Sequence, residues 1–294
     1  MEETKIFGGL SQIEMEIDEF HLGDGIIIRK TYAHLFAPFM MAFSPPGNGK
    51  LKFHGGPWKT TKGGISFDIL VEIEMPKQVE FEKVIDSEEL IWLIACLIRL
   101  GSHPFVLVSA ISDMSFNNIK TDEAQPTITP IETKKRIFSA IEDRKPILSI
   151  DDLEWLKMHW KIAAKLIKNN PKFYPALKSF DDATIQGKKS SALLNIWGAI
   201  EHLFSPNTGE LKYRVSSNLA AFLVKHGEKR LEIFKELSKL YNERSTAAHT
   251  SKDVETAAII SSYVHFRNAL VKIIEDGKVP SQEELESLIF KAEE

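Results

Sequence analysis

Two charged residues stand on apolar stripes in the C-terminal half of the chain. Glu201 follows Trp197 by four residues and Leu194 by seven, and Arg244 follows Leu240 by four and Leu237 by seven. On helices this spacing turns both side chains inward. Opposite charges withdrawn from water cost far less together than apart, so a Glu201–Arg244 ion pair is expected, a device many proteins use for structure alone. The residues after Arg244 add to it. Arg244-Ser245-Thr246-Ala247-Ala248-His249 supplies a hydroxyl and an imidazole close to the guanidinium. Histidine exchanges a proton near neutral pH, and arginine offers a planar fork of donors to an oxyanion. The competing reading of His249 is an ordinary polar residue at a helix end.

Other chemistries lack their residues. The remaining eight histidines form no His-Glu-x-x-His and have no companion cysteines, so neither a metal nor a cofactor is expected. No Gly-x-Ser-x-Gly elbow is present. Pro45-Pro46-Gly47-Asn48-Gly49-Lys50 superficially looks like a phosphate-binding loop. Leu51, however, stands where a Ser or Thr should hold magnesium, and the glycine spacing is absent. A hairpin or surface loop is expected there, as at His54–Trp58. Cys96, the single cysteine, rules out an internal disulfide and sits in the apolar run Leu90–Ile98 like a core residue.

The elements that must position Glu201 and Arg244 are helical. From Ser149 onward the apolar period is that of an α-helix, with Leu156, Trp160, Ala163 and Ile167 on a first helix that ends by Pro171. A second covers Lys188–Phe204, with Leu193, Trp197, Ile200 and Phe204 on one stripe. Others are expected at Val215–His226, Glu228–Arg244, Asp253–Glu275 and Ser281–Ala292. The first part is β-rich instead. Ile65–Glu74 alternates with a period of two, and Gly25–Ile28 is a short apolar run. Ser87-Glu-Glu-Leu carries a helix N-cap pattern leading to Leu100, Gly101 stops that helix, and Pro104–Ala110 follows as a strand. The expected class is α+β, a β-rich domain over 1–148 followed by an all-α bundle over 149–294.

Charge narrows the partners. The formal net charge is −4; residues 1–140 hold 14 Lys and Arg against 19 Asp and Glu, and the remainder holds 23 against 22. A broad basic face for nucleic acid is therefore excluded, and any contact with RNA or DNA must be local. The longest apolar run is too short for a membrane-spanning helix, and no basic-then-apolar leader opens the chain. A soluble cytoplasmic protein with no membrane partner is expected.

Three segments together resemble the Apea-like branch of the HEPN superfamily. They are Leu194-Asn-Ile-Trp197-Gly-Ala-Ile-Glu201-His-Leu-Phe204, Tyr213-Arg214-Val-Ser-Ser-Asn-Leu-Ala220 and Leu240-Tyr241-Asn-Glu-Arg244-Ser245-Thr-Ala-Ala-His249. Arg, a polar residue, three variable residues and His is that superfamily's ribonuclease motif. The resemblance covers about residues 150–275. It implies metal-independent RNA cleavage, with a 2′-hydroxyl as nucleophile and His249 as acid or base. Arg244 and Ser245 would hold the phosphate, and Glu201 would orient Arg244. It also implies a homodimer through the helical half, with two Arg/His sets lining one cleft. The setting implied is a toxic effector of anti-phage defence, with the N-terminal half as sensor and a phage-derived trigger as a partner. The alternative is a non-catalytic HEPN module that dimerises or binds a nucleotide-like ligand. Thr250 departs from the pattern, since many relatives have glycine after the histidine. In a toxin branch a tyrosine two residues after the histidine is modified by a nucleotidyltransferase; Ser251 stands there, so that control is not expected.

Overall fold

The computed structural model describes residues 5–47, 53–77, 86–101, 103–120, 125–134, 136, 147–205, 209–250 and 254–290. Asn48–Leu51, Ser251, Asp253 and Ala292, on which expectations above rest, lie outside them. The chain is α+β, a curled sheet followed by helices. Strands β1 (Lys5–Ser11), β3 (Glu19–Gly23), β4 (Ile26–Ala42), β5 (Trp58–Pro76), β6 (Leu107–Ser112) and β7 (Ile128–Pro130) form one antiparallel sheet in the order β3-β4-β5-β1-β6-β7. A short parallel pair, β2 (Glu14–Met15) with β8 (Ile147–Leu148), ties the first part to the start of the helices.

Helix α1 (Ser87–Gly101) is apolar on every side and buried along most of its length, as a helix covered all round must be. One glycine of β1 admits it, and its neighbour relieves the opposite face. A Cβ on Gly8 would stand 2.6 Å from Ile91 of α1, and one on Gly9 would stand 2.9 Å from Ile69 and Phe116 on the other face. The cap of α1 is Asp86, whose Oδ1 accepts from Glu89 N at 2.8 Å. Ser87, the expected cap, instead donates its hydroxyl to the carbonyls of Pro76 and Lys77. Strand β6 begins three residues later than expected, because His103–Val106 form a turn closed by Val106 N donating to His103 O at 3.2 Å, with Pro104 in its second position.

The remaining helices are α2 (Ile150–Asn169), α3 (Phe173–Ala183), α4 (Lys189–Phe204), α5 (Leu211–Leu223), α6 (Glu228–His249), α7 (Thr256–Glu275) and α8 (Gln282–Phe290). Ser149 and Asp152 close a capping box at the start of α2. Helix α3 has no counterpart in the sequence reading. Pro171 and Pro175 look like breakers, yet proline is tolerated in the first turn of a helix, and Phe173, Ala176, Leu177 and Phe180 turn one face into the core. Helix α5 starts four residues before Val215, and α6 runs five residues past Arg244, so Arg244 to His249 form its last turn and a half.

One continuous apolar core reaches from Ile6 and Leu10 of β1 through α1 to Phe266 of α7 and Leu285 of α8. Polar groups stitch the same boundary. Trp160 Nε1 donates to Leu22 O at 3.2 Å, and Arg267 of α7 donates to the terminal carbonyls of Leu100 and Gly101. Deeper still, Arg99 of α1 donates to both oxygens of Asp181 on α3 at 2.9 and 3.0 Å and to Glu132 at 2.5 Å. Arg136 reaches Glu132 at 2.7 Å and the Asp181 and Thr184 oxygens, and Trp92 Nε1 donates to Asp181 at 2.8 Å. Two positive and two negative charges thus satisfy one another where α1 and α3 meet Glu132 and Arg136. Burial opposes the charge on Asp181, but Arg99 and Arg136 outweigh it and hold the carboxyl below the usual range.

On the sheet's other face Glu72 is fully buried, accepting from Ser115 Oγ at 2.8 Å and Phe116 N at 2.9 Å. Its pKa is raised, burial being the main cause. No helix of the described residues is long and apolar enough to cross a membrane.

Candidate active site

The site is assembled where α4, α6 and α7 meet. Leu193, Trp197, Ile200 and Phe204 of α4 are fully buried, which fixes the rotation of that helix and leaves Glu201 at the margin of the core. On α6, Leu237, Leu240 and Tyr241 face inward and set Arg244 against it. Arg244 Nη2 lies 2.9 Å from Glu201 Oε1 and 3.1 Å from Oε2. The pair is half-buried, its side chains 23% and 17% exposed.

Aromatic groups frame the pair. The Arg244 guanidinium carbon stands 5.5 Å from the centre of the Tyr241 ring, a cation–π contact. Trp197 meets Tyr241 edge to face at 5.3 Å and donates from Nε1 to Ser262 Oγ of α7 at 3.0 Å. Burial raises the Tyr241 pKa, and a hydrogen bond to Glu201 together with that carboxylate's charge raises it further. The signal for Tyr241 in the sequence is its place three residues before Arg244, which on a helix puts both on one side. Ser262 carried no signal, because a serine on an apolar stripe shows no partner until the helices are packed.

Ser245 is half-buried and His249 is exposed. Helix α6 is unbroken across this span, so five residues place His249 about 7.5 Å further along the axis and about 140° round it from Arg244. Glu201 of α4 and Arg244 of α6 are brought together; His249 shares the helix of Arg244 but projects to solvent. Thr250 ends α6 in extended backbone, with φ −133° and ψ 161°, and its hydroxyl donates to Thr246 O at 2.9 Å. Glycine is therefore not required there.

Chemically the arrangement offers a fixed guanidinium with donors beyond those Glu201 uses, a neighbouring hydroxyl, and an imidazole open to solvent. Among the described residues no three His, Cys, Asp or Glu side chains are grouped to hold a metal ion. Compared with protein-family models, curated proteins and solved structures, the chain matches none.

Proposed function

We propose that the chain is a metal-independent endoribonuclease of HEPN type, acting as a homodimer through its helical half. The observation that carries this reading is a guanidinium oriented by Glu201 and Tyr241, with an exposed histidine on the last turn of the same helix. In the reaction the 2′-oxygen of RNA attacks the adjacent phosphorus and the bond to the 5′-oxygen breaks. The 2′-hydroxyl gives its proton to a base, and an acid returns a proton to the 5′-oxygen. His249 takes one of these roles, worth about 10²–10⁴-fold in rate. Arg244 and Ser245 bind the phosphoryl oxygens as charge accumulates on them, and Glu201 positions Arg244. Because Arg244 and His249 diverge on one helix, a site built from two chains supplies both an acid and a base histidine to one phosphate. The biological setting proposed is a toxic effector in anti-phage defence, with a phage-derived trigger acting on the N-terminal part.

The test is cleavage of total RNA with EDTA present. His249→Ala and Arg244→Ala each abolish cleavage while the protein stays folded, and mixing the two inactive variants restores part of it through composite sites. Parent-like cleavage by His249→Ala would sink the catalytic reading.

A second reading, a ligand-binding module, is favoured by a groove of about 470 Å³ between α5, α6 and α8, lined by Tyr213, His226, Leu231 and Phe234. Calorimetric binding of a nucleoside monophosphate, weakened by Phe234→Ala and accompanied by no cleavage, would favour it.

A further inference from the structure

The hairpin β4–β5 outruns the sheet. Strand β3 accompanies β4 only over Ile26–Arg29, and β1 accompanies β5 only over Val71–Pro76. From Ala33 outward the two strands pair only with each other among the described residues. The root of this arm packs Ala33 and Leu35 against Ile69 and Phe116. Large side chains face water from the root outward: Tyr32 is 69% exposed, Phe36 64%, Phe43 59% and Trp58 51%. Lys59 and Lys62 are exposed beside them. Between Tyr32 and Phe67 the sequence holds four lysines and not one Asp or Glu, in a chain of net charge −4; the arm's one carboxylate, Asp68, sits at its root against His34 at 2.8 Å.

Exposed apolar surface of this extent marks an interaction site, and charge and backbone chemistry choose the occupant. A second copy of the arm brings the same positive charge, and like charges brought together oppose the contact. A bilayer core leaves the outer N–H and C=O groups of a two-stranded ribbon without partners. Single-stranded nucleic acid avoids both penalties. Its phosphates neutralise lysines and accept from edge N–H groups, and its bases stack on aromatic faces. Tyr32 and Phe36 project from one side of β4 as such a stacking pair, with His34 between them bonded to Asp68 and Ser66 of β5.

We propose that the β4–β5 arm is a binding site for single-stranded nucleic acid, with Tyr32, Phe36 and Trp58 stacking on bases and Lys59 and Lys62 holding phosphates. The proposal stands on the arm alone and does not require the helical half to cut RNA.

Fluorescence anisotropy with the full-length protein tests it, using labelled oligouridine and oligothymidine of about 15 nucleotides, on the order of one binding site. Oligothymidine has no 2′-hydroxyl, so its binding is read without cleavage and is untouched by any failure of the ribonuclease reading. Both probes are expected to bind. Phe36→Ala and Trp58→Ala each weaken binding roughly tenfold, while Trp58→Phe, which keeps a ring, retains most of it. The double variant Lys59→Ala/Lys62→Ala flattens the dependence of log affinity on log salt by about 1.4, at about 0.7 per charge. All these side chains are exposed, so thermal midpoints should stay at the parent's value. The proposal is overturned if the parent binds neither probe, or if binding ignores all of these substitutions. It is equally overturned if Trp58 governs uptake onto phosphatidylserine vesicles, or self-association in sedimentation, with no oligonucleotide bound.

Discussion

Glu201 and Arg244 show how far single residues can be read before a structure is seen. Each was singled out because a charge sat at i+4 and i+7 from apolar partners, and the two side chains do meet. Complete burial was expected as well, but each keeps about a fifth of its surface in contact with solvent. That difference sets the energetics. A fully buried pair broken on one side costs about 3–5 kcal/mol, whereas a half-buried donor left unmatched costs about 1–3 kcal/mol. Glu201→Ala should therefore lower the thermal midpoint by a few degrees, and Glu201→Gln, which keeps an acceptor, by less; differential scanning calorimetry measures both. An unchanged midpoint in Glu201→Ala would mean the pair is energetically neutral. His249 was legible as a residue type but not as a direction, since only the unbroken run of α6 shows that it points away from Arg244.

At the scale of elements, strong periodicity was legible and isolated polar partners were not. Helices α2 and α4 follow from stripes of Leu, Trp and Ile, and β5 from its alternation. Helix α3 was hidden behind two prolines, and with it Asp181, the centre of the buried network. Nothing in a sequence says that Arg99, inside an apolar helix, is matched by a carboxylate 82 residues away. Asp181→Asn leaves two buried guanidinium groups sharing Glu132 alone, and is expected to cost about 3–5 kcal/mol. The pH dependence follows from the direction of the shift. The folded-state pKa of Asp181 is lowered, so its contribution is complete above the unfolded value of about 3.9 and fades as pH falls through the folded one. Chemical denaturation of the parent across about pH 5 to 2 should show stability dropping with acid. In Asp181→Asn that slope should be shallower; an identical slope would remove Asp181 as its source.

For the whole molecule, the change of period at residue 149 coincides with no gap in packing. Helix α1, which precedes it, lies among α2, α3 and α7 and shares their core. Residues 149–294 expressed alone would uncover Leu153, Leu156, Trp160 and Phe266 and strand Asp181 without Arg99 and Arg136. The fragment is accordingly expected to lack a cooperative thermal transition and a near-ultraviolet circular dichroism signal, both of which the full chain should show. A sharp transition in the fragment would mean that the helical half holds its own core without α1. The position of Cys96 carries one more consequence. Its side chain is fully buried in α1, and burial, followed by the nearby charge of Asp181, raises the thiol's pKa well above its ordinary value. An alkylating reagent therefore finds no reactive thiolate in the folded chain. Because the chain has no other cysteine, its labelling rate is a direct clock for the opening of the core where sheet and helices join. At neutral pH, anything that loosens that junction, whether a substitution at Asp181 or a ligand on the arm, can be timed by one covalent mark.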